Sequence, residues 1–498
     1  MKWVGLDTFR TRVLLFITLT CLSVGGFLWV SADTYGLGFP LDDAWIHQTY
    51  ARNLAERGEW AFVPGQLSAG STAPLWTGIL TLGNLLGVET KVWSYFLGGL
   101  LLAITAWFCS QWIALRGSNR GWWKVWLGVL IISEWHLVWA AVSGMEILAL
   151  TLVVVLVLAW LESQKWSALG IGALIGLGVW IRPDALSLLL PVVWHTFFRH
   201  RHQLRQTIAT LVTVGVGVAI LIVPYLMFNR VLAGAWWPST FYAKQAEYMV
   251  HRSVPLLFRL VDQLTSPLVG VGAVLVPGII ITSVLAISQG AWRKLAPIIW
   301  ALSYMGMYAM LLPVNYQHGR YAMPVIPIVL VVGLEGLLIS IWPVAENMVR
   351  RVISRVWLYT IPVLTFTFWL LGSRSYAQDV AIIETEMVAA ARWLSVNTEA
   401  GALVAAHDIG ALGYFGERPI VDMAGLISPE VIPIMRDEVA LSRLLDSRGA
   451  DYLMTFPGWY PWLVERRYPI YSTSAPYSVK AGGENMVVYK WRPEGFAP

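Results

Sequence analysis

Charged residues are scarce in this sequence. Asp, Glu, Lys and Arg make up 13% of its 498 residues, whereas soluble domains carry about 25%. So little charge cannot cover the surface of a water-soluble protein of this size, and the composition therefore excludes an ordinary soluble enzyme. The net charge of +5 is also small, and the basic residues form short clusters between apolar runs. That pattern argues against nucleic-acid binding.

Cysteine is almost absent as well. The two cysteines, Cys21 and Cys109, both lie in apolar stretches, so we expect no structural disulfide, and the sequence has no CxxC metal pattern. No dedicated cluster of metal ligands is recognisable elsewhere. The sequence therefore predicts neither a metal nor another cofactor.

Long apolar runs take the place of the missing charge. Hydrophobic residues make up 57% of the chain, and runs such as residues 208–228 match the thickness of the hydrocarbon core of a bilayer. Many of the 28 Trp residues lie near the ends of these runs, as is typical of membrane interfaces. Hydropathy predicts about eleven spans, at residues 13–30, 91–115, 125–142, 145–161, 167–181, 184–198, 206–228, 264–288, 295–313, 321–342 and 356–372.

Basic residues between the spans, such as Lys165, Arg199 and Arg293, predict a cytoplasmic N-terminus, because cytoplasmic loops are enriched in Lys and Arg. An odd number of spans then places the C-terminus outside. Counting the stretch 71–87 as a span would reverse this order, so it is interpreted as an interfacial helix. The predicted fold is an all-α polytopic membrane domain, residues 1–375, whose outer loop 31–90 carries interfacial helices, followed by an extracytoplasmic domain, residues 376–498.

The second domain has the pattern of a small α/β fold. Residues 384–396 and 441–447 are predicted to be helical, and residues 403–406, 420–421, 452–454 and 486–489 to be strands. Gly410, Gly413 and Gly416 have the spacing GxxGxxG, which is not the GxGxxG pattern of a phosphate-binding loop.

Two adjacent acids, Asp42 and Asp43, follow the first span at the start of an amphipathic segment with Ile46, Tyr50 and Leu54 on one face. Mutual repulsion and poor solvation raise the pKa of one member of such a pair, which suits proton abstraction from a hydroxyl. The alternative is a solvated turn in which Asp caps the helix. The pair alone leaves both readings open.

Ionisable residues inside or beside the spans form a second candidate group, because charge near the hydrocarbon is costly and is usually functional or paired. They are Glu146, Arg182, Asp184, His318 and Arg320. The two arginines suit a lipid phosphate, since a guanidinium offers paired hydrogen bonds to phosphate oxygens. Alternatively, Arg182 pairs with Asp184 or Glu146, and Arg320 snorkels to the headgroups.

Tyr242 and Lys244, in the outer loop 238–244, are candidates for contacts with a sugar or phosphate, or else members of an ordinary interfacial belt. His407, Asp408 and Asp422 fall at the ends of predicted strands, where α/β proteins often build sites. They could equally cap turns.

Several motifs occur in an order that resembles GT-C membrane glycosyltransferases, nearest the branch that includes the bacterial terminal arabinofuranosyltransferases. The motifs are DDAW at 42–45, YARNL at 50–54, FVPG at 62–65, GSTAPLW at 70–76, SGME at 143–146, RPD at 182–184, PSTFYAK at 238–244, GRY at 319–321, DIGALGY at 408–414 and DMAGL at 422–426. No single motif is specific, but the ordered set is, and it spans most of the chain.

The resemblance implies transfer of a sugar, with inversion, from a polyprenyl-phosphate donor to a glycan, lipid or protein acceptor of the cell envelope. Asp42 would act as general base and Asp43 would support it. Arg182 and Arg320 would stabilise the charge that develops on the leaving phosphate. The expected location is the plasma membrane, with the site on the extracytoplasmic side. Some relatives use a divalent metal, for which this sequence shows no binding site.

Two other functions remain open at this point. Many spans and buried charges also suit a transporter or flippase of lipid-linked sugars. A ligase that moves a whole glycan from a pyrophosphate lipid would share the outer site. The long first loop with its acid pair, and the folded outer domain, favour the glycosyltransferase.

Overall fold

The computed structural model of the chain describes residues 9–117, 121–163, 165–314, 316–341 and 348–492. The last residue of the predicted span 321–342 lies outside the described residues. So do residues 1–8 and 493–498, which belong to the two predicted domains.

Helices dominate the described chain as far as residue 383. They are Phe9–Thr34, Asp42–Arg57, Pro74–Leu85, Thr90–Leu115, Gly121–Ser133, Trp135–Val142, Ile147–Glu162, Ala168–Ile181, Leu189–Arg199, Leu204–Ala233, Ser239–Glu247, Leu256–Thr265, Val271–Ser288, Ala296–Leu311, Ile326–Ile341 and Met348–Ile383. Six helical stretches of the described residues are long and apolar enough to cross a membrane, or seven if one bent pair counts as a span. The chain is therefore a multi-pass membrane protein.

The predicted spans all fall on helices, but several of these helices are short. Residues 184–198, for example, form a 3₁₀ turn, Pro183–Leu188, followed by the helix Leu189–Arg199, because Pro183 cannot continue a regular α-helix. The number of eleven spans thus stays a prediction.

Glu134, an acidic residue inside an apolar span, marks a bend. The helices on either side of it differ in direction by 56°. Its carboxylate accepts the backbone N–H of Leu137, as an N-cap does, and lies 2.7 Å from His136 Nδ1. The acid therefore starts a new helix inside the span.

Glu335, a second acid within a span, belongs to a buried ion cluster. Arg116, at the end of the helix Thr90–Leu115, pairs with Glu162 and Glu335, and Lys294 Nζ lies 3.6 Å from Glu335. Burial makes such charges costly unless they are paired, so this cluster fixes the ends of several helices together. Thr90, at the opposite end of the same helix, hydrogen-bonds Tyr414 at 2.9 Å.

The helix Asp42–Arg57, called here the first-loop helix, is buried on most of its surface. Tyr50 and Ala51, for example, are fully buried although they point in different directions. The expectation of an amphipathic helix lying on the bilayer surface is wrong, because the C-terminal region (residues 384–492) covers the face that would meet water. A small hairpin, β1 (Ala61–Val63) and β2 (Gln66–Leu67), follows the helix.

The C-terminal region contains a five-stranded sheet with the order β4-β3-β5-β7-β6. Its strands are β3 (Val404–Ala406), β4 (Ile420–Asp422), β5 (Tyr452–Thr455), β6 (Tyr468–Ser472) and β7 (Val487–Lys490). β3 pairs in parallel with β4 and β5, and β7 pairs antiparallel with β5 and β6. The four predicted strands are confirmed to within about one residue, and β6 was missed. The long helix Met348–Ile383 passes through the predicted domain boundary at 375 and leads into this region.

Candidate functional site

The acid pair opens the first-loop helix, and its two side chains diverge. Asp42 faces the C-terminal region, where its Oδ2 accepts the backbone N–H of Gly410 and its Oδ1 that of Ala411, both at 2.7 Å. A Cβ at position 410 would lie 2.0 Å from the Asp42 carbonyl oxygen. Only glycine permits this approach, so Gly410 serves close packing on Asp42, whereas Gly413 packs on Phe62.

Asp43 faces the membrane helices instead. Its Oδ2 accepts hydrogen bonds from Arg320 Nη2 at 2.7 Å and from Lys244 Nζ at 3.2 Å. Both cations also contact Tyr321: Lys244 Nζ lies 3.3 Å and Arg320 Nη2 lies 3.2 Å from its hydroxyl. One carboxylate oxygen of Asp43 therefore binds two cations: Lys244, on the helix Ser239–Glu247, and Arg320, at the start of the span that follows residue 319.

Three consecutive left-handed residues place Arg320. Gln317, His318 and Gly319 have φ values of 56°, 59° and 64°, a region that residues with a side chain rarely adopt. A Cβ at position 319 would lie 1.7 Å from Ser266 Oγ. The turn thus needs glycine at 319, and it directs the next side chain inward, where Arg320 is 4% exposed.

Arg320 retains unused hydrogen-bond donors. Its Nε and Nη1 are buried and have no partner within the described residues. A buried guanidinium N–H without a partner is costly, so these two donors mark a place for an anion that binds there. Each of these N–H groups can donate a charge-assisted hydrogen bond to a phosphate oxygen.

Arg182 is fully engaged. Its Nε lies 3.2 Å from Asp184 Oδ1, its Nη1 lies 3.1 Å from Glu146 Oε1, and its Nη2 donates to Tyr308 at 3.1 Å. Both of the ion pairs considered from the sequence are therefore present. The Arg182 guanidinium also lies 5.1 Å from the centre of the Tyr321 ring, so it still adds positive charge beside Arg320 and Lys244.

A first cavity of about 360 Å³ contains these groups. Asp43, Glu146, Arg182, Lys244 and Arg320 line its polar end. The rest of its wall is largely apolar and aromatic, with side chains that include Met145, Leu186, Trp237, Phe241, Met307, Leu311 and Leu312. A cavity with charged groups at one end and apolar walls suits an amphipathic ligand with an anionic head.

A second cavity of about 430 Å³ lies between the first-loop helix, the helix Ser239–Glu247 and the C-terminal region. It is lined by Asp42, Glu247, His407, Asp408 and Trp459 among others. The two cavities share Asp43, Ile46, Lys244, Arg320 and Leu426. Asp43 and its two cations therefore stand where the cavities meet.

The pKa values of the acid pair separate strongly. Burial, together with the neighbouring Asp408 carboxyl, raises the pKa of Asp42 to about 8, although the N–H groups of Gly410 and Ala411 oppose this shift. The Lys244 and Arg320 charges outweigh burial at Asp43 and hold its pKa well below the usual range. Asp43 is thus the ionised member of the pair at neutral pH.

Two residues predicted for the site lie elsewhere. Tyr242 lines neither cavity, because the helix Ser239–Glu247 directs Phe241 and Lys244 inward instead. His318 also lines neither cavity; its Nε2 lies 2.7 Å from Asp379 Oδ2, which ties the left-handed turn to the long helix Met348–Ile383. A role for Tyr242 and His318 in binding the substrate therefore stays a prediction.

Sequence reasoning missed two tyrosines that line the first cavity, Tyr308 and Tyr321, and a third, Tyr304, that contacts Asp184. Tyr308 and Tyr304 donate to Asp184 Oδ2, at 2.5 Å and 2.7 Å, and Tyr321 contacts all three cations. Their spacing along the chain gave no signal, since aromatics are common near span ends. Within the described residues no group of three or more His, Cys, Asp or Glu could hold a metal ion, and the expectation that the protein needs no metal stays a prediction.

Comparison with protein families finds a match for the C-terminal region only. A family described as "Domain of unknown function (DUF8728)" matches residues 376–489. No curated protein matches the sequence of the chain.

The fold, in contrast, matches solved membrane glycosyltransferases. ArnT from Cupriavidus metallidurans bound to undecaprenyl phosphate is 16% identical, with a TM-score of 0.62 over 99% of this chain and 100% of that one. The oligosaccharyltransferase AglB from Archaeoglobus fulgidus, in complex with an inhibitory peptide and a dolichol-phosphate, is 11% identical, with a TM-score of 0.60 over 91% of this chain and 70% of that one.

A third match is the arabinofuranosyltransferase AftD from Mycobacteria, 15% identical, with a TM-score of 0.50 over 95% of this chain and 41% of that one. These three proteins share the GT-C fold. The chain therefore has the predicted GT-C fold.

Proposed function

Because the chain has the fold of GT-C glycosyltransferases, we propose that it transfers a sugar from a polyprenyl-phosphate donor to an acceptor hydroxyl where the two cavities meet. The observation that carries this proposal is Arg320, which lines the first cavity and has two buried nitrogens, Nε and Nη1, without a partner among the described residues. ArnT and AglB are described with undecaprenyl phosphate and dolichol-phosphate respectively, which supports a phosphate lipid as the ligand.

The donor phosphate accepts a hydrogen bond from a free N–H group of Arg320, and Lys244 and Arg182 add positive charge nearby. The lipid tail follows the apolar wall past Phe241 and Leu311. The sugar then extends toward Asp43, at the boundary with the second cavity. As the bond between the sugar and the phosphate breaks, the cations stabilise the charge that develops on the phosphate.

The base is better placed at Asp43 than at Asp42. Both carboxylate oxygens of Asp42 accept backbone N–H groups, whereas Asp43 borders both cavities and the recorded bonds of its carboxylate go to Oδ2. Asp43 takes the proton of the acceptor hydroxyl, the hydroxyl oxygen bonds to the anomeric carbon, and the phosphate leaves with the electron pair on the opposite side. The configuration of that carbon is therefore inverted.

Donor binding itself strengthens the base. Arg320 and Lys244 hold the pKa of Asp43 low, which makes the carboxylate a weak proton acceptor. A phosphate that binds the free N–H groups of Arg320 neutralises part of the positive charge beside Asp43. Each such contact raises the pKa of Asp43 toward the ordinary range, where proton abstraction is more effective.

The proposed location is the plasma membrane, with both cavities and the C-terminal region on the extracytoplasmic side. Polyprenyl-phosphate sugars supply energy for transfer where nucleotide sugars are absent, and the basic residues between the spans favour this orientation. The acceptor would belong to the cell envelope: a glycan, a lipid or a protein.

The test is binding of undecaprenyl phosphate to the purified protein in lipid nanodiscs. Arg320→Ala should weaken binding at least about tenfold, because hydrogen bonds to a charged partner contribute about 1.5–3 kcal/mol. Arg320→Lys keeps the charge but loses the paired hydrogen bonds and should fall in between. Arg199→Ala, at an exposed position at the end of the helix Leu189–Arg199, is the matched control and should bind normally.

Equal binding by Arg320→Ala and the wild type would sink the donor assignment. A transporter or flippase remains the rival function. Such a protein would bind the lipid through the same arginine. It would, however, release no free undecaprenyl phosphate in an assay that supplies synthetic polyprenyl-phosphate pentoses and hexoses together with cell-envelope extract.

A further inference from the structure

The second cavity has an unusual set of polar groups. Four carboxyl groups border it, from Asp42, Asp43, Glu247 and Asp408, against the cations of Lys244 and Arg320. His407 stands beside Glu247: its Nε2 lies 3.5 Å from Glu247 Oε1, and this contact contributes to a raised pKa of the imidazole. Such an arrangement offers many acceptors to hydroxyl groups.

One of these carboxyl groups has an unused oxygen. Asp408 Oδ2 is buried and has no hydrogen-bond partner among the described residues, and Asp408 lines this cavity. An acceptor atom left unpaired in a buried position costs free energy. A ligand hydroxyl that donates to this oxygen would recover it.

An aromatic side chain stands beside the carboxylate. Trp459 lines the same cavity but is 48% exposed. Its position is fixed from several sides: the His407 ring contacts it edge-on at 5.0 Å, Phe456 lies 5.1 Å away, and the backbone N–H of Gly458 donates to Glu484 at 2.7 Å. A large aromatic that is held in place yet left half-uncovered offers a flat apolar face to a ligand.

A sugar ring satisfies both features. Its hydroxyl groups donate to carboxylates, and the C–H face of the ring packs on an indole. We propose that the cavity formed by Asp408, His407, Trp459 and Glu247 binds an uncharged sugar residue of the acceptor, so that a glycan is the acceptor class. This inference rests on the proposed function, because the bound sugar would present a hydroxyl to Asp43 at the shared boundary of the two cavities.

The C-terminal region supplies three of these four residues, and Glu247 comes from the helix that carries Lys244. The assignment thus gives the C-terminal region a role in choosing the acceptor, while donor binding depends on the membrane helices. The two functions can therefore be separated by mutation.

The test uses saturation-transfer NMR on the full-length protein in nanodiscs, with methyl glycosides of glucose, galactose, mannose, arabinofuranose and N-acetylglucosamine as probes. At least one glycoside should show saturation transfer. Trp459→Ala and Asp408→Asn should each weaken that binding about tenfold, as expected for loss of an aromatic contact or a charge-assisted hydrogen bond. Trp462→Ala, at an exposed Trp of the same region that lines neither cavity, is the matched control and should bind normally.

Undecaprenyl phosphate should bind all three variants as it binds the wild type, whereas Arg320→Ala should lose the lipid and keep the glycoside. The proposal falls if no glycoside shows saturation transfer, if the signal survives Trp459→Ala, or if Ser- and Thr-containing peptides bind in a Trp459-dependent manner and the glycosides do not. If the wild type did not bind undecaprenyl phosphate, the assignment of the donor would be overturned instead.

Discussion

The two acids of the first-loop helix have different partners, and this difference can be measured. Asp43→Asn removes the group that faces both cavities, so we expect turnover to fall about 10²–10⁴-fold, the usual contribution of a positioned base. The variant should still bind undecaprenyl phosphate, because Arg320 keeps its two free N–H groups. Transfer assayed with a defined polyprenyl-phosphate sugar and acceptor would check this.

Asp42→Asn should act through the contact between domains. An amide nitrogen in place of one oxygen would face the N–H of Gly410 or Ala411, and two donors cannot pair. Hydrogen exchange at these two amides should therefore accelerate, with a smaller loss of turnover than in Asp43→Asn. The opposite order, with Asp42→Asn inactive but unchanged in exchange, would restore Asp42 as the base.

Asp408 should make stability depend on pH. Burial raises the pKa of Asp408 to about 6, so between about pH 4 and 6 the folded chain holds a proton that the unfolded chain has released. Stability from this group therefore falls as the pH rises through that range. Asp408→Asn cannot ionise, so its stability relative to the wild type should increase between pH 4 and 7 by at most about 3 kcal/mol. Urea unfolding of the C-terminal region at pH 4 and at pH 7 would measure this change. An equal stability difference between Asp408→Asn and the wild type at the two pH values would contradict the prediction.

At the scale of single residues the sequence indicated only part of the site. Arg182 and Arg320 are predicted because charges near apolar runs are costly, and Lys244 because it lies with aromatic residues in the outer loop 238–244. His318 met the first criterion but lies outside both cavities, and the sequence could not show this because its partner, Asp379, comes 61 positions later in the chain. The sequence leaves two roles open for Asp408, a site residue or a turn cap, because the residues that surround it come together only in the folded molecule.

A single turn decides whether Arg320 points into the first cavity. Gly319→Ala would place a Cβ 1.7 Å from Ser266 Oγ at a φ of 64°. The turn must then shift, and undecaprenyl phosphate binding should fall about as much as in Arg320→Ala. Gly306→Ala is the control, since a Cβ there meets nothing within 4 Å. Normal lipid binding by Gly319→Ala would mean that the turn does not position the arginine.

Helices and strands could be predicted where the local hydrophobic pattern agrees with the burial of the residues in the fold. β3 and β5 are short apolar strands at the centre of the sheet, and each has a uniform apolar signal. β6 was missed because it is a partly exposed edge strand that contains Pro469, and a proline within a run weakens the strand pattern. The first-loop helix was located correctly but assigned to the wrong environment, since its periodicity could not reveal that the C-terminal region covers it.

Across the whole molecule, the helix Thr90–Leu115 relates the site to the opposite face. Its first residue contacts the C-terminal region through Tyr414, and its end leads to the buried cluster of Arg116, Glu162 and Glu335. A helix of this length spans about 39 Å, enough to cross a bilayer. We therefore expect the ion cluster and the C-terminal region to face opposite sides of the membrane.

Orientation then follows from thiol labelling in intact cells. In a variant whose two native cysteines are replaced, Ser447→Cys should react with an impermeant maleimide, because the exposed end of the helix Glu438–Arg448 would lie outside. Ser288→Cys, exposed at the end of the helix Val271–Ser288 and near the basic residues Arg293 and Lys294, should react only after the membrane is opened. The reverse pattern would place the cavities in the cytoplasm, where nucleotide sugars are available and a polyprenyl-phosphate donor would no longer be required. The orientation of the chain thus bears directly on the identity of the donor.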